Sequence, residues 1–443
     1  MELSRQTLIE RYGGPAPRYT SFPTANHFSD LDPASAQEAL RRSGPKFRVY
    51  VHIPWCRQLC WYCGCNTEIR RDHRVGDAHV DDVLAELELL RPDLPNNPSI
   101  EGLSLGGGTP NFLQPPALRK LIEGIESVFP SGERRYATEL DPRTVTDEQL
   151  DTFHELGFRR FSLGVQTLDE AVQQAVNRVM PRERIGEIAR HIRANGSETL
   201  NFDLMVGLPL QTLETLDKTI DTVLEIAPDR LAVFQYAHIP RLRPSQKLLE
   251  RHGLPGPMAR DDLMQRAVER LCAAGFVRIG FDHFARPEDP LAIALDEGRL
   301  GRDFQGFSTS DHLDLIALGP SAIGRLNDTF TQNLRDSKAW ALSVRAGKLP
   351  VFRGWKLSDR DHRYARFIRA LMCQSRARWG ADGLERSEVE SRLPALDRFI
   401  EDGLVQADEV GIEVLPNGFD FIRQIAAVFD PYLHDPDAHA SVA

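Results

Sequence analysis

Four of the six cysteines in this 443-residue chain fall within ten positions, Cys56-Arg57-Gln58-Leu59-Cys60-Trp61-Tyr62-Cys63-Gly64-Cys65. They follow the apolar run Val49-Tyr50-Val51-His52-Ile53-Pro54, so the thiols stand at the exit of a strand. Thiolates so closely spaced select iron or zinc. A C-x3-C-x2-C run can hold three corners of a 4Fe-4S cluster and leave one iron without a protein ligand. An iron with an open position can bind and reduce a substrate. The competing chemistry is a structural zinc site. Two features argue against zinc. Cys63 and Cys65 flank a single glycine, where zinc knuckles separate their paired ligands by a longer loop. Further on, Leu105-Gly106-Gly107-Gly108-Thr109-Pro110 follows a second strand, and a glycine run there lets backbone approach a bound ligand.

Such residues need a scaffold that delivers them to one face. From residue 47 to about 235, short apolar runs alternate with stretches that are apolar at every third or fourth position, the pattern of strand-helix units around a parallel sheet. Strands are predicted at 47–53, 101–105, 135–140, 158–165, 199–204 and 231–236, and helices at 80–90, 116–129, 147–156, 184–194 and 213–226. Thr146, followed by Asp147 and Glu148, reads as an N-cap with an acidic first turn. Six units are too few to close an eight-stranded barrel. The fold class is therefore α/β, a partial, open (β/α)6 barrel with its site at the carboxyl ends of the strands. The expected organisation is an N-terminal arm or lid over 1–45, the barrel with its extension over 46–335, and a mainly helical, winged C-terminal domain over 336–443. The wing is expected as a hairpin of 403–408 with 411–414.

With 41% apolar and 27% charged residues, and no apolar stretch long enough to span a bilayer, the composition is that of a soluble protein. Met1-Glu2-Leu3-Ser4-Arg5-Gln6 has no apolar leader character, which places the chain in the cytoplasm. A formal net charge of -10 disfavours nucleic acid as a partner, and an anionic substrate would need local arginines to overcome the repulsive field.

The cysteine loop and the glycine turn together resemble the radical S-adenosylmethionine (SAM) superfamily. Further motifs are Pro17-Arg18-Tyr19-Thr20-Ser21-Phe22-Pro23-Thr24, Asp282-His283-Phe284-Ala285-Arg286-Pro287 and Phe304-Gln305-Gly306-Phe307. With Cys65, these are similar to the oxygen-independent coproporphyrinogen III dehydrogenase (oxidase) family of heme synthesis, over nearly the whole chain. The resemblance implies one 4Fe-4S cluster held by Cys56, Cys60 and Cys63, and two SAM molecules, one of them chelating the open iron. Cys65 is left to border the second SAM. Tyr50, Tyr62, Gly107, Gly108, Thr109, Glu139, Gln166, Arg178, Asp203, Ala237 and Ile323 match its cofactor-contacting positions. Glu139, Phe304, Gln305 and Ile323 match positions of catalytic importance.

Several of these residues have plainer readings. An aromatic such as Tyr62 beside a cluster can simply shield it from water, Tyr50 can be a core residue, and Ile323 ordinary packing. A lone strand-end glutamate is more often solvated than functional. Arg178 offers a carboxylate a bidentate fork and Asp203 an acceptor for ribose hydroxyls. Arg18, Arg286 and Arg241 or Arg243 are candidates for the substrate's carboxylates. His52, His238 and His283 are read as hydrogen-bonding supports, and Cys272 and Cys373 as inert buried thiols.

The implied reaction converts two propionates of coproporphyrinogen III to vinyl groups, giving protoporphyrinogen IX. A 5'-deoxyadenosyl radical takes hydrogen from each propionate β-carbon, and carbon dioxide and an electron then leave. A low-potential donor of flavodoxin or ferredoxin type supplies electrons, an acceptor of unspecified identity takes them up, and the chain is expected to act as a monomer. The rival readings are a heme-binding chaperone of the same superfamily and a heme-opening C-methyltransferase.

Overall fold

The structure is a computed structural model describing residues 3–433 except 131, 133, 134 and 310–312. The predicted alternation is present: β1 (Lys46–Ile53), α1 (Arg74–Leu90), β2 (Ser99–Gly107), α2 (Pro115–Val128), β3 (Tyr136–Leu140), α3 (Asp147–Glu155), β4 (Phe158–Gln166), α4 (Arg182–Ala194), β5 (Thr199–Val206), α5 (Leu213–Ile226) and β6 (Arg230–Gln235). Each strand pairs parallel with the next. Thr146 caps α3 as expected. Its hydroxyl accepts from Gln149 N at 3.2 Å, and the Gln149 side chain accepts from Thr146 N at 3.1 Å, which closes a capping box.

The sheet extends beyond the predicted units. Asp314–Leu318 pairs parallel with the free side of β1, from Asp314 opposite Phe47 to Leu318 opposite Val51. Antiparallel strands then continue both edges, giving an open sheet of 13 strands among the described residues. The strand Asp314–Leu318 was missed because its partner lies far away in sequence, a pairing that local periodicity does not report.

Alternation along the strands assigns the two faces. Val49, Val51, Ile53, Leu103, Leu105, Leu200, Phe202 and Leu204 share one buried apolar cluster with Val80, Val83 and Leu87 of α1 and Leu118, Leu121 and Ile125 of α2. The opposite face carries Arg48, Tyr50, Ser104, Ser162, Asn201 and Asp203, so the inside of the open barrel is polar.

After the barrel come α6 (Pro257–Ala273) and α7 (Asp359–Gln374). The expected hairpin forms between Val405–Ala407 and Gly411–Val414, joined by a third strand, Arg376–Arg378. The N-terminal segment packs against this region. Leu8, Tyr12, Tyr19 and Phe22 lie in one apolar cluster with Phe367, Leu371, Phe399 and Phe429, and the Tyr12 and Phe399 rings stack at 4.4 Å. Cys373 is buried as expected. Cys272 is exposed, because it lies in the last turn of α6 on the side away from the sheet-packing residues Leu263, Ala267 and Leu271. Among the described residues no helix is long and apolar enough to cross a membrane.

A buried carboxyl joins the barrel to the strands added beside β1. Glu86 of α1 accepts from Gly319 N at 2.8 Å, Trp340 Nε1 at 2.9 Å and Asn333 Nδ2 at 2.6 Å. Burial outweighs these donors and pushes Glu86 up to about 8. With the folded value above the unfolded one, its stabilisation is greatest below about pH 4.5 and falls as pH rises to about 8. Thermal melts of wild type and Glu86→Gln from pH 5 to 8 should therefore show wild type losing stability relative to the variant, on the order of a few kcal/mol. Parallel melting curves would contradict this.

Candidate functional site

The glycine turn is built by close approach. Gly108 N donates to Ile53 O at 2.7 Å. A Cβ on Gly108 would lie 2.8 Å from the Pro54 carbonyl, and one on Gly107, at φ +108°, 2.5 Å from the His52 ring. The turn is therefore pressed onto the end of β1 where the cysteine loop begins. Its amides are not left free. Gly107 N donates to Glu139 Oε2 at 3.3 Å, so the turn meets β1 through one amide and β3 through the next.

His52 serves as a support. Its Nε2 donates to Asn66 O at 2.9 Å, which leaves Nδ1 to accept from the Tyr50 hydroxyl at 3.1 Å. Burial holds the ring neutral by lowering its pKa. This relay ties the inner face of β1 to the end of the cysteine loop.

The loop itself is clamped from β4 and β6. Trp61 N donates to Val176 O at 3.0 Å and Asn177 Nδ2 to Leu59 O at 2.8 Å, with Asn177 in the left-handed region at φ 57°. From the other side, Gln246 Nε2 donates to both Tyr62 O at 2.9 Å and Ala237 O at 3.2 Å, and Arg243 Nε donates to Gly64 O at 3.0 Å. Arg243 is thus committed to the loop backbone.

Donors converge on the sulfurs. Thr109 Oγ1 donates to Cys56 Sγ at 3.2 Å, and Arg143 Nη2 and Arg178 Nη1 each reach Cys60 Sγ at 3.3 Å. Asp141 holds the two guanidiniums together, at 2.6 Å from Arg143 Nη2 and 3.4 Å from Arg178 Nη2. Burial pushes Asp141 up, but Arg178 and Arg143 outweigh it and hold the carboxyl below its ordinary value. Burial pushes the Cys56 thiol up to about 12, whereas a hydrogen bond from the Cys65 thiol brings Cys63 down to about 6. Cys56 lies within the electrostatic reach of Cys60 and Cys63, and two guanidiniums face Cys60; soft sulfur donors with cations beside them suit an anionic iron-sulfur cluster.

Around this centre stand the other strand-end groups. Glu139 keeps solvent-accessible surface although protein crowds it closely, as for a group lining a recess. Burial and the neighbouring Asp203 charge push it up to about 7. Asp203 accepts from Ser162 Oγ at 3.1 Å and Asn201 Nδ2 at 2.8 Å. Gln166, at φ 66°, has a buried Oε1 with no hydrogen-bond partner among the described residues. Arg178 also donates to Gly164 O, at 2.5 Å from Nη2. Tyr62 packs with Val172, Val176 and Tyr236 beside Cys60 and Cys63.

Phe304 and Gln305 form the tip between two short antiparallel strands, Gly301–Asp303 and Gly306–Ser308. The tip enters the barrel, where Gln305 Oε1 accepts from Ser104 Oγ of β2 at 3.4 Å and Asp303 pairs with Arg48 of β1. Phe304 and Ile323 meet in one apolar cluster with Phe28 and Phe330.

Arg18 pairs with Asp282 and lies 5.4 Å from the Phe234 ring at the carboxyl end of β6. Arg286 does not join it. Its N donates to Asp229 O, its guanidinium to Ala274 O at 3.1 Å, and it covers Phe276, all at the amino end of β6. The antiparallel register of His283–Ala285 against β6 carries Arg286 away from the site. His238 lies between the Tyr236 hydroxyl and Glu250, and His283 is bonded to Asp282. Arg241 is exposed.

Arg143, Asp141, Asn177 and Gln246 escaped the sequence reading. Asp141-Pro142-Arg143 does follow a predicted strand, the one local signal available. Gln246 lies in a loop without periodicity.

Residues 50–223 match the Radical SAM superfamily. The chain is 37% identical to the oxygen-independent coproporphyrinogen III oxidase of Pseudomonas aeruginosa, over 96% of this chain and 95% of that one. It is also 37% identical to the protein of that name from Bradyrhizobium diazoefficiens, over 98% of each. Among solved structures, coproporphyrinogen III oxidase from Escherichia coli, described as a radical SAM enzyme, superposes with a TM-score of 0.91 at 34% identity, covering 97% of this chain and 99% of that one. Sulfur donors at the strand ends and full-length similarity in sequence and fold agree: the chain belongs to the oxygen-independent coproporphyrinogen III oxidase family of radical SAM enzymes.

Proposed function

We propose that this chain converts two propionate side chains of coproporphyrinogen III to vinyl groups without oxygen, giving protoporphyrinogen IX for heme synthesis. The observation that carries the reading is the Phe304–Gln305 tip held inside the barrel by Ser104 and by Arg48, which pairs with Asp303, on the same polar face as Tyr50 and Glu139. When bound, the 4Fe-4S cluster and SAM would supply the one-electron radical chemistry that oxidative decarboxylation of a propionate needs. The chain's own residues bind, orient and enclose.

In this reading Cys56, Cys60 and Cys63 hold the cluster, and Arg143, Arg178 and Thr109 balance its charge by donating to sulfur. Two SAM molecules are accommodated. Gly107, Gly108 and Thr109 contact both, Cys65, Gln166, Arg178, Asp203 and Ala237 border the second, and Tyr50, Tyr62, Glu139 and Ile323 complete the cofactor contacts. The partnerless Gln166 Oε1 supports this by offering an acceptor. Glu139, near neutrality in pKa, would bind an ammonium as carboxylate and regain its charge on doing so. Phe304 and Ile323 offer the macrocycle an apolar wall, and Arg18 is the arginine placed for a propionate. Segment 1–45 and region 336–443 act as a cover for the barrel 46–335, supported by their shared apolar cluster. A reducing cytoplasm and a monomeric state complete the reading.

Anaerobic turnover with reconstituted cluster, SAM, coproporphyrinogen III and dithionite should give protoporphyrin after oxidation, together with 5'-deoxyadenosine. Heme binding without either product would instead favour the chaperone. Cys56→Ala, Cys60→Ala and Cys63→Ala should each abolish the cluster's visible absorbance, whereas Cys65→Ala should retain it and lose turnover. Cluster loss in Cys65→Ala would reassign the ligand set. Arg143→Gln should lower stability by roughly 3–5 kcal/mol in denaturant unfolding, since it breaks a buried ion pair. Because Asp141 titrates below its unfolded value, the deficit should be largest above that value and shrink as pH falls through the folded one.

A further inference from the structure

The cysteine loop presents an outer face as well as an inner one. Trp55–Cys56 pairs parallel with Glu68–Ile69, and the second strand runs directly into Arg70-Arg71-Asp72-His73-Arg74. Arg70 N donates to Cys56 O at 2.9 Å, so the basic run is fixed by backbone to a cysteine that holds the cluster. Arg57, Arg70, Arg71 and Arg74 are all exposed. Arg70 is 2.6 Å from Glu68 and lies over the Trp55 ring, Arg74 is 2.7 Å from Asp72, and Arg57 rests against the His73 ring. Arg71 makes no ion pair among the described residues. Over residues 55–74 four arginines meet two carboxylates, a surplus of two positive charges in a chain whose net charge is -10. Within this rim Ile69 is 36% exposed, an apolar side chain next to the strand position of Cys56.

We propose that this face is the docking surface for an acidic, low-potential electron-carrier protein. The inference rests on the cluster assignment above, which requires one electron from outside for each radical formed. In the complex, the reduced carrier loses one electron and the cluster gains it, with no bond broken and no proton moved. The arginine forks match surface carboxylates, and Ile69 supplies a small apolar contact, as suits a transient redox interface of low area. The acidic remainder of the chain repels an acidic partner, so the basic face orients the encounter as well as attracting it.

The test uses the reconstituted holoenzyme and reduced bacterial flavodoxin as the probe, with a plant-type ferredoxin as a second acidic carrier. The variant is Arg71→Glu with Arg74→Glu. Neither side chain touches a sulfur, and Arg74→Glu adds an acidic group to the first turn of α1, where the helix dipole favours it. Binding by biolayer interferometry should weaken about tenfold or more in the variant, and wild-type affinity should fall steeply with salt. Carrier-driven turnover should show a raised KM for flavodoxin while dithionite-driven turnover stays at the wild-type rate. Equal affinity of variant and wild type, salt-independent binding, or no binding to either carrier would overturn the proposal. So would a loss of dithionite-driven turnover in the variant, which would make this face part of the site. Wild-type enzyme inactive with dithionite would overturn the proposed reaction, a separate outcome that the binding data do not share.

Discussion

The reactive end of this protein depends on one backbone contact, the approach of Gly107 and Gly108 to the end of β1. Gly108 N to Ile53 O closes the gap between two strand ends, and any side chain at either glycine would collide with His52 or with the backbone of Pro54. This contact sets where the cysteine loop leaves the sheet. It also brings Thr109 within hydrogen-bond distance of Cys56 and Gly107 N within reach of Glu139. The glycines are required first for packing. Their value to a ligand follows from the bare, crowded surface that this packing creates.

Charge is arranged against the chain's overall sign. An acidic protein concentrates Arg143 and Arg178 at one sulfur and anchors both on Asp141. The guanidiniums are buried, which costs solvation. Burial opposes the charge of Arg178, and its ion pair with Asp141 and its hydrogen bond to Cys60 counter that cost. A pair of cations held by a single carboxylate leaves positive potential directed at Cys60, which suits a ligand to an anionic group. The same logic operates on the outside of the loop, where exposed arginines outnumber carboxylates.

Much of this was legible in the sequence because it is local. The six strands, the five helices between them and the Thr146 cap follow from periodicity and capping chemistry, and the cysteine spacing and glycine run lie within a few residues of their strands. What escaped is nonlocal or committed to backbone. Asp314–Leu318 joins β1 across more than two hundred positions, and Gln246 matters through backbone groups, the carbonyls of Tyr62 and Ala237 and the amide of Ile239. Arg286 looked equivalent to Arg18 because both stand beside proline in family-like motifs. An antiparallel strand sends Arg286 to the opposite end of β6.

The packing of the N-terminal segment follows from the same economy of contacts. Arg18 from the N-terminal segment pairs with Asp282, Arg302 Nε donates to Arg18 O, and Arg423 Nη1 donates to Ala16 O. Arg18, Arg302 and Arg423 also surround the ring of Phe281. Three distant parts of the chain thus meet at one aromatic ring and one buried carboxylate. Burial lowers the pKa of Arg423, and neighbouring Arg18 adds to that while Asp282 opposes it, so three guanidiniums share the one carboxylate of Asp282.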